Sequence, residues 1–256
     1  MKKETKTAIV TGSSSGVGAA TCIEFAKRGW NVVINYSQNK VDAYNLAEVC
    51  KSFGVDALVC QANVACEDDC KRMVEATSHT FSRIDALVNN AGTTKYCNYN
   101  NLDGLSKKDF QDLYEVNVIG AYQMVKLAAP YLKKAHGSIV NISSISAISG
   151  VGSSIAYAAS KGALSTMTLS LAHALSPEVR VNGICPGFIQ TRWTKGFLGE
   201  RYESVKKHIE KASLINRTSL PEDIAKGIIY LAVDANTTSG QILTIDGGQL
   251  VNQGKL

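Results

Sequence analysis

Two residues one helical turn apart, Tyr157 and Lys161, have the side chains and the spacing for acid–base chemistry on an oxygen atom. Residues four positions apart lie on the same face of a helix. A positive charge close to a phenol favours the phenolate and so lowers the pKa of the phenol. A phenol tuned in this way can exchange a proton with an alcohol or a ketone. Because such pairs are common on ordinary helix surfaces, the meaning of this one depends on the rest of the chain.

A glycine-rich turn near the start of the chain has the composition of a phosphate-binding loop. It reads Thr11-Gly12-Ser13-Ser14-Ser15-Gly16-Val17-Gly18 and lies between an apolar run and the helix-forming Ala19-Ala20. Glycines let a backbone approach a pyrophosphate closely, and the following helix N-terminus offers unpaired amides. The spacing Gly-x-x-x-Gly-x-Gly differs from the commoner Gly-x-Gly-x-x-Gly. At the first strand-to-helix turn of an alternating chain, it predicts dinucleotide binding.

Apolar runs alternate with amphipathic stretches along the whole chain. Short runs rich in Val and Ile predict strands that are buried on both faces. These runs are 8–10, 32–34, 57–59, 86–88, 138–142, 179–182 and 242–245. The amphipathic stretches between them predict helices, among them 19–28, 40–53, 70–81 and 108–132. The alternation predicts one α/β domain over residues 1–256, a Rossmann-type doubly wound parallel sheet of about seven strands with helices on both faces.

The alternation of apolar runs and amphipathic stretches is interrupted between residues 188 and 219, where a polar helical segment is predicted instead. Ligands of this architecture bind at the carboxyl ends of the strands. The segment is therefore expected to form a lid over a ligand, with a surface excursion that never closes as the alternative.

Composition excludes several classes of protein. Net charge is +5, and the basic residues are dispersed rather than gathered in an arm that would bind nucleic acid. No apolar run approaches the length of a membrane span, and no signal-like segment opens the chain. The seven cysteines follow no zinc-like spacing, so no metal is expected. Their number and spacing favour a reduced, cytoplasmic compartment.

Further motifs stand in order along the chain. They are Asn89-Asn90-Ala91-Gly92, Asn117 within Glu115–Val118, Ser143-Ser144, Arg180-Val181-Asn182, Pro186-Gly187-Phe188-Ile189-Gln190-Thr191 and Asp246-Gly247-Gly248. With the glycine turn and Tyr157-x-x-x-Lys161, they resemble the short-chain dehydrogenase/reductase family over nearly the whole chain. Each motif alone is moderately specific, whereas the ordered set is highly specific. Among members of that family, the chain is most like the 3-oxoacyl-[acyl-carrier-protein] reductases.

The resemblance implies a role for each catalytic residue. Tyr157 is expected to be the acid/base, and Lys161 to lower its pKa and bind the ribose of the nicotinamide. Ser144 is expected to polarise the substrate oxygen, and Asn117 to hold a water that connects Lys161 to solvent. These roles agree with the physics of carbonyl reduction, in which donors stabilise negative charge developing on oxygen. Thr191 is expected to anchor the nicotinamide carboxamide.

The resemblance also implies where a nicotinamide cofactor lies. The expected cofactor-binding residues are Gly12, Ser14, Ser15, Gly16, Val17, Gly18, Asn35, Tyr36, Ser37, Asn63, Val64, Asn90, Ala91, Gly92, Tyr157, Lys161, Pro186, Gly187, Ile189 and Thr191. Asn63-Val64 stands where the family usually has Asp-Val beside the adenine, and the Asn63 amide oxygen is expected to accept a hydrogen bond.

The choice between the two nicotinamide cofactors depends on the turn after the second strand. Specificity for NAD needs a carboxylate there, and the position implied by the family is Tyr36. Since residues 35–39 contain no acid, NADP(H) is favoured and NAD(H) remains possible. NADP-dependent relatives often have Arg or Lys just before the second glycine, where this chain has Ser15. A 2′-phosphate is therefore expected to bind hydroxyls and amides instead: those of Ser14, Ser15, Asn35 and Ser37, together with Lys40.

The expected reaction interconverts a secondary alcohol and a ketone of a small molecule. Residues expected to face the substrate are Thr94, Tyr96, Ser146, Phe188 and Trp193. Their hydroxyls and aromatic rings suit a small polar carbonyl or a hydroxylated ring. Reduction of a 3-oxoacyl thioester on an acyl carrier protein is an alternative.

Two competing functions use the same fold, since a fold does not determine a function. One is a nucleotide-binding sensor without catalysis, and the other is an epimerase or dehydratase. Against the sensor stands the complete catalytic set, and against the epimerase the short C-terminal region. The resemblance also implies a homotetramer.

Overall fold

Seven parallel strands form the centre of the molecule in the computed structural model, which describes residues 5–252. The strands are β1 (Thr7–Val10), β2 (Asn31–Tyr36), β3 (Ala57–Gln61), β4 (Ala86–Asn89), β5 (Ser138–Ile142), β6 (Arg180–Pro186) and β7 (Ile242–Ile245). Their order in the sheet is β3-β2-β1-β4-β5-β6-β7. All seven apolar runs of the sequence are strands, so the predicted sheet is confirmed.

Helices cover both faces of this sheet. They are α1 (Gly16–Lys27), α2 (Lys40–Lys51), α3 (Glu67–Phe81), α4 (Lys107–Tyr114), α5 (Gly120–Ala135), α6 (Ser146–Ser149), α7 (Ile155–Leu175), α8 (Arg192–Leu198), α9 (Tyr202–Ala212) and α10 (Pro221–Ile229). One core cluster joins the sheet to α1, α2 and α10, and a second joins it to α3, α5 and α7. The doubly wound fold predicted from the alternating pattern is therefore confirmed.

Burial explains why the strands read as continuous apolar runs. Every residue of β1, β2, β4 and β5 is buried because helices cover both sides. The edge strands β3 and β7 are only partly buried. Among the described residues, no helix is both long and apolar enough to cross a membrane.

The order of the strands defines a crevice at one edge of the sheet. β1 is paired with β2 on one side and with β4 on the other, and all of these pairings are parallel. The chain therefore leaves β1 in one direction and leaves β4 in the other, which is a topological switch point. Ligands of open α/β sheets bind in the crevice at such a point, outside the carboxyl ends of the strands.

The long helix predicted over residues 108–132 is not a continuous α-helix. A π-helical turn, Glu115–Ile119, joins α4 to α5. Close packing follows at Gly120, where an added Cβ would lie 2.8 Å from the Val64 carbonyl oxygen. The π turn thus carries Asn117 on a helix that lies tight against the loop after β3.

The segment predicted as a lid is an excursion with a paired base. Ile189 and Ser219 form an isolated parallel bridge, in which the Gln190 amide donates to the Ser219 carbonyl at 3.0 Å. Between them lie α8, a 3₁₀ turn (Gly199–Arg201) and α9. Tyr202 is the only buried residue of α9, so most of that helix is in contact with solvent.

Candidate active site

The glycine turn after β1 has the backbone shape that its composition predicts. Gly12 and Gly16 have φ values of +60° and +58°, a region in which other residues are strained. Gly18 is required for a different reason, since an added Cβ would lie 2.6 Å from the Ser13 Cα. The turn therefore lets the first turn of α1 pack against the loop itself.

The N-terminus of α1 fits an anionic group. Its N-cap residue, Ser15, has extended backbone and makes no side-chain capping bond, and the first turn holds no acidic residue. The first amides of a helix have no intrahelical acceptor and carry the positive end of the helix dipole. Gly16, Val17 and Gly18 thus present these amides to the crevice, where a pyrophosphate would satisfy them.

Asn90 and Thr11 fix the turn from the neighbouring strand. The Asn90 side-chain amide donates to the carbonyls of Thr11 (2.9 Å) and Gly12 (3.0 Å). The Thr11 hydroxyl accepts from the backbone amides of Asn90 and Ala91, both at 3.0 Å. These bonds join the β1 and β4 sides of the crevice, and they explain why the Asn-Asn-Ala-Gly motif accompanies the glycine turn.

The expected role of Asn35 in holding a 2′-phosphate needs correction. Its side-chain oxygen accepts the Gly12 amide at 2.8 Å, and its amide group donates to the Ala62 carbonyl at 3.0 Å. The residue is only 2% exposed. Asn35 therefore braces the glycine turn from β2 and has no free face for a phosphate. Tyr36 is also buried, at 5% exposure, within the core between β2 and α2.

The remaining adenosine-side residues lie at the surface of the crevice. Ser14 and Ser15 are partly exposed, and Ser37 and Asn63 are exposed. The Asn63 side-chain oxygen, which was expected to accept from a cofactor, accepts the Ala65 amide at 3.1 Å. Asn63 thus shapes its own turn, while Val64 is buried against the π turn.

The proposed acid–base pair lies at the start of α7. The Ser154 hydroxyl caps this helix by accepting the Tyr157 amide at 3.2 Å. One turn later, the Lys161 ammonium donates to the Ile142 carbonyl at 2.8 Å and lies 5.8 Å from the centre of the Tyr157 ring. β5 and α7 together therefore hold the pair at the carboxyl end of the sheet.

Burial dominates the protonation of this pair in the protein alone. Desolvation raises the pKa of Tyr157 to about 12, and a hydrogen bond with the Ser144 side chain opposes that rise. Desolvation lowers the pKa of Lys161 to about 8. Burial in the protein alone thus acts against the lowering of the Tyr157 pKa that is expected from Lys161. Burial disfavours the charged form of each group.

Ser144 completes the group around the phenol. Its hydroxyl lies 3.1 Å from both the hydroxyl and the backbone amide of Ser146. Ser143, its neighbour, faces the other way and donates to the Lys161 carbonyl at 2.8 Å. Ser144 is thus oriented toward Tyr157, while Ser143 ties β5 to α7.

Asn117 occupies the π turn and uses its whole side chain. Its oxygen accepts the Thr93 amide at 2.8 Å, and its amide group donates to the Thr93 carbonyl and the Ser160 hydroxyl, both at 3.0 Å. Its side chain therefore positions the loop after β4 and the start of α7. A Cβ added to Gly92 would lie 3.4 Å from both the Asn117 oxygen and the Lys161 nitrogen. The two polar groups thus converge beside Gly92.

The strand-end motif after β6 reaches back to the glycine turn. The Pro186 carbonyl accepts the Ile145 amide at 3.0 Å, and the Gly187 amide donates to the Ile245 carbonyl at 3.0 Å. Thr191 caps α8 through the Thr194 amide at 3.0 Å. The Thr191 methyl carbon would lie 3.4 Å from a Cβ on Gly16. The base of the excursion therefore faces the N-terminus of α1 across the crevice.

The expected substrate residues divide into two groups. Ser146 contacts Ser144, and the Thr94 hydroxyl bonds to that of Ser153 beside the start of α7. Phe188 packs on Tyr202 of α9, with ring centres 5.8 Å apart. Trp193 packs on Phe197 within α8 and is 48% exposed.

Tyr96 makes a contact that joins two loops. The Arg201 guanidinium lies 4.3 Å from the centre of the Tyr96 ring and donates to its hydroxyl at 2.9 Å. The loop after β4 thus contacts the 3₁₀ turn between α8 and α9.

Several residues of the site escape sequence reasoning. Ser160 stands at an unspecified position of the Tyr157-x-x-x-Lys161 motif, and its contact with Asn117, like that of the Ile142 carbonyl with Lys161, is set by the fold. An ion pair between Arg192 of α8 and Asp42 of α2 joins residues 150 positions apart. The sequence carries no signal for this pair, because periodicity within one helix does not show which residues of a distant helix it meets. No described group of His, Cys, Asp and Glu side chains has the geometry to hold a metal ion.

Fold and site together define a class of protein, and comparison with known proteins agrees. The family model described as enoyl-(acyl carrier protein) reductase matches residues 12–249. A structure from Burkholderia xenovorans that is assigned to the short-chain dehydrogenases/reductases is similar, with a TM-score of 0.91 and 36% identity. The match covers 98% of this chain and 100% of that structure. The chain belongs to the short-chain dehydrogenase/reductase family.

Three similar proteins have names that specify an activity. The ketoacyl reductase 2 assigned to the granaticin polyketide synthase of Streptomyces violaceoruber is 37% identical over 96% of both chains. The 3-oxoacyl-[acyl-carrier-protein] reductase FabG of Staphylococcus aureus is 34% identical over 96% of this chain and 98% of its own. The acetoin dehydrogenase of Enterobacter cloacae has a TM-score of 0.86 with 28% identity, over 98% of this chain and 99% of its own.

The class of reaction follows from this family membership. The protein is an oxidoreductase that interconverts a secondary alcohol and a ketone, and it uses a nicotinamide nucleotide. Its relatives include both reductases and a dehydrogenase.

Proposed function

We propose that the protein is an NADP(H)-dependent ketone reductase in which Tyr157 is the proton donor. The observation that carries this proposal is the convergence of Tyr157, Ser144 and Lys161 at the carboxyl end of β5. A bound nicotinamide nucleotide supplies the hydride. The chain itself supplies the proton, the donors that hold the substrate oxygen and the geometry.

Each residue of this group has a separate task. Ser144 donates to the substrate oxygen and stabilises the negative charge that develops there. Tyr157 gives its proton to the same oxygen, and the ammonium of Lys161 stabilises the phenolate that remains. Asn117 positions the group by tying the loop after β4 to α7 through Thr93 and Ser160. The expected water between Lys161 and solvent would lie beside Gly92, where the two polar groups converge.

The preference for NADP(H) is supported by the turn after β2. Residues 35–39 contain no carboxylate that would bind a ribose 2′-hydroxyl and repel a 2′-phosphate. The nearest acid of α2, Asp42, is already engaged by Arg192 and by the Asn39 side chain (2.6 Å).

A 3-oxoacyl thioester is the first substrate to test, since two of the relatives named above reduce ketoacyl groups by name. The experiment measures the initial rates of NADPH and NADH oxidation with an acetoacetyl thioester. Fast turnover selective for NADPH would support both the substrate class and the cofactor. No turnover despite tight NADPH binding would reject this substrate and direct the search to small hydroxyketones, such as acetoin.

We also propose a lid, an assembly and a location. Residues 188–219 close over the substrate, because the Tyr96–Arg201 contact already joins this segment to the loop after β4.

The protein forms a homotetramer, for which exposed apolar residues on α5, α7 and the C-terminal segment provide faces: Tyr122, Leu169 and Val251. All seven cysteines are unpaired, as suits the cytoplasm. Light scattering after size exclusion tests the tetramer, and a monomer would reject it.

A further inference from the structure

An ion pair crosses the crevice in which the dinucleotide is expected to bind. Arg192, the first residue of α8, donates to the carboxylate of Asp42 in the first turn of α2. α2 follows β2, whereas α8 follows β6, and these strands are four positions apart in the sheet. At about 4.8 Å for each step, that separation is roughly 19 Å. The segments that carry Arg192 and Asp42 therefore extend toward each other across the switch point, and the two side chains close the contact.

The path of this contact passes over the glycine turn. Thr191, the residue before Arg192, faces Gly16 at the N-terminus of α1. On the far side, the Asp42 oxygen that accepts from Arg192 also accepts from the Asn39 side chain at 2.6 Å. The guanidinium is thus held beside the β2–α2 turn, two hydrogen bonds from Asn39.

This turn lacks the cation that a 2′-phosphate would need. The position before the second glycine is Ser15, which carries no charge. The Asn35 side chain is already hydrogen-bonded to the backbone of Gly12 and Ala62. Lys40 is in the turn, but its ammonium lies over the ring of Tyr44, 5.6 Å from the ring centre. Arg192 supplies a planar guanidinium there, a group that matches phosphate oxygens in a bidentate manner. Its side chain is 68% exposed, so most of its surface is open to a ligand.

We infer that Arg192 is a cofactor-specificity residue, which pairs with Asp42 in the free protein and binds the 2′-phosphate of NADP(H) from the side of residues 188–219 when the cofactor is present. The inference rests on the proposed preference for NADP(H). It also explains how a chain with Ser15 in place of a basic residue obtains a positive charge at this turn. Arg192 does not touch the reacting atoms, so its effect is expected in binding rather than in chemistry.

The test compares dissociation constants of NADPH and NADH for wild type and Arg192→Ala, by cofactor fluorescence or calorimetry. The fragments 2′,5′-ADP and 5′-AMP, which lack the nicotinamide, are titrated in parallel. We expect Arg192→Ala to weaken NADPH and 2′,5′-ADP by about tenfold, the size of one charge-assisted contact. NADH and 5′-AMP should change by less than about twofold. Arg192→Lys should lie in between, because it keeps the charge but loses the planar fork.

Asp42→Asn gives a result of opposite sign. It removes a negative charge beside the phosphate and frees the guanidinium, so NADPH should bind more tightly while NADH is unchanged. A merely structural tie between α2 and α8 would instead make Asp42→Asn and Arg192→Ala weaken both cofactors alike, and that outcome overturns the inference.

The matched control is Arg28→Ala, which removes another exposed Arg–Asp pair, with Asp234 at 2.9 Å, away from the crevice. It should alter none of the four constants. Thermal midpoints of all variants verify that they are folded.

The failure of this inference and that of the proposed function can be told apart. If wild type binds NADPH no more tightly than NADH, the preference for NADP(H) is wrong whatever the variants do. If wild type prefers NADPH and Arg192→Ala keeps that preference in full, only the role of Arg192 is wrong.

Discussion

At the scale of single residues, the site consists of polar side chains whose burial costs free energy. Lys161 is 4% exposed; its ammonium donates to the Ile142 carbonyl and lies 5.8 Å from the centre of the Tyr157 ring. Tyr157 is paired with Ser144. Burial disfavours the charged form of both groups, and this effect outweighs the hydrogen bonds that the protein alone supplies to them. Such an arrangement suits groups that meet opposite charge only when ligands are present.

Removal of the Tyr157 hydroxyl should reduce catalysis while leaving cofactor binding almost unchanged. Tyr157→Phe deletes the proton donor but leaves the ring, and we expect kcat to fall by at least about two orders of magnitude. The Kd for NADPH should stay within about twofold, since the ring packing is unchanged. Steady-state rates and cofactor titration measure the two quantities. Turnover like that of wild type would show that another group donates the proton.

The lowered pKa of Lys161 predicts the pH dependence of reduction. The ammonium stabilises the phenolate left after proton donation, so the protonated form is the active one. Its pKa is about 8, whereas the pKa of Tyr157 is about 12. kcat/KM for the ketone at saturating NADPH should therefore be constant below about pH 7 and fall as the pH rises through about 8. A profile that stays flat to about pH 10 would contradict this assignment.

At the scale of elements, the site depends on helix ends and on one irregular turn. The π turn at Glu115–Ile119 presents Asn117 to the loop after β4 and brings the helix against Val64. π turns are rare and are often found at functional sites. α4 and α5 therefore contribute to the site through the π turn that joins them.

Two helical glycines allow a test of this close packing. Gly120→Ala would place a methyl group 2.8 Å from the Val64 carbonyl, whereas Gly162→Ala in α7 meets no atom within 4 Å. We expect Gly120→Ala to lower the free energy of unfolding by about 1–3 kcal/mol, the usual cost of overpacking. Gly162→Ala should raise it by roughly 0.5–1 kcal/mol through helix propensity. Denaturant unfolding measures both, and equal effects of the same sign would refute the packing argument.

Elements were easier to predict from the sequence than the contacts between them. Buried parallel strands leave an unbroken apolar run, so Ser138–Ile142 and Ile242–Ile245 were predicted with the bounds that the structure has. The π turn has no such signal, because one additional residue in a turn hardly alters an amphipathic pattern. The role of Asn35 was misjudged because its partners, Gly12 and Ala62, are adjacent only in the folded sheet. The Arg192–Asp42 pair, for the same reason, was not predicted.

At the scale of the whole molecule, the two halves of the chain meet across one crevice. The first half supplies the glycine turn and its braces, and the second supplies Ser144, Tyr157 and the excursion after β6. Contacts at two points join these parts over the opening: Arg192 with Asp42, and Arg201 with Tyr96. Both contacts involve exposed side chains, and exposed ion pairs are individually weak.

Weak contacts at the opening predict that the segment 188–219 is the first part to be cleaved by a protease. Residues 192–212 carry basic residues on short helices with few buried side chains, so local opening should cost little free energy. We expect trypsin to cut the free protein first at Lys195, Arg201, Lys207 or Lys211 and NADPH to slow this cleavage by about tenfold or more. Mass spectrometry of the early fragments identifies the sites. Initial cleavage within α3 or α5 would show that the excursion is not the least stable part.

The π turn also determines how the chain tolerates insertions and deletions. A π turn is an α-helical turn with one residue added, so removing Val118 would let α4 and α5 run on as one regular helix. The π turn takes up its added residue locally, so α4 and α5 would stay nearly in phase and the deletion would change the backbone of the turn itself. Asn117 and the buried face of α5, Met124, Ala128 and Leu132, could not both keep their places. Homologous chains that lack this residue should therefore have a rearranged β4–α4 loop. The number of residues between α4 and α5 thus separates related chains into two structural groups.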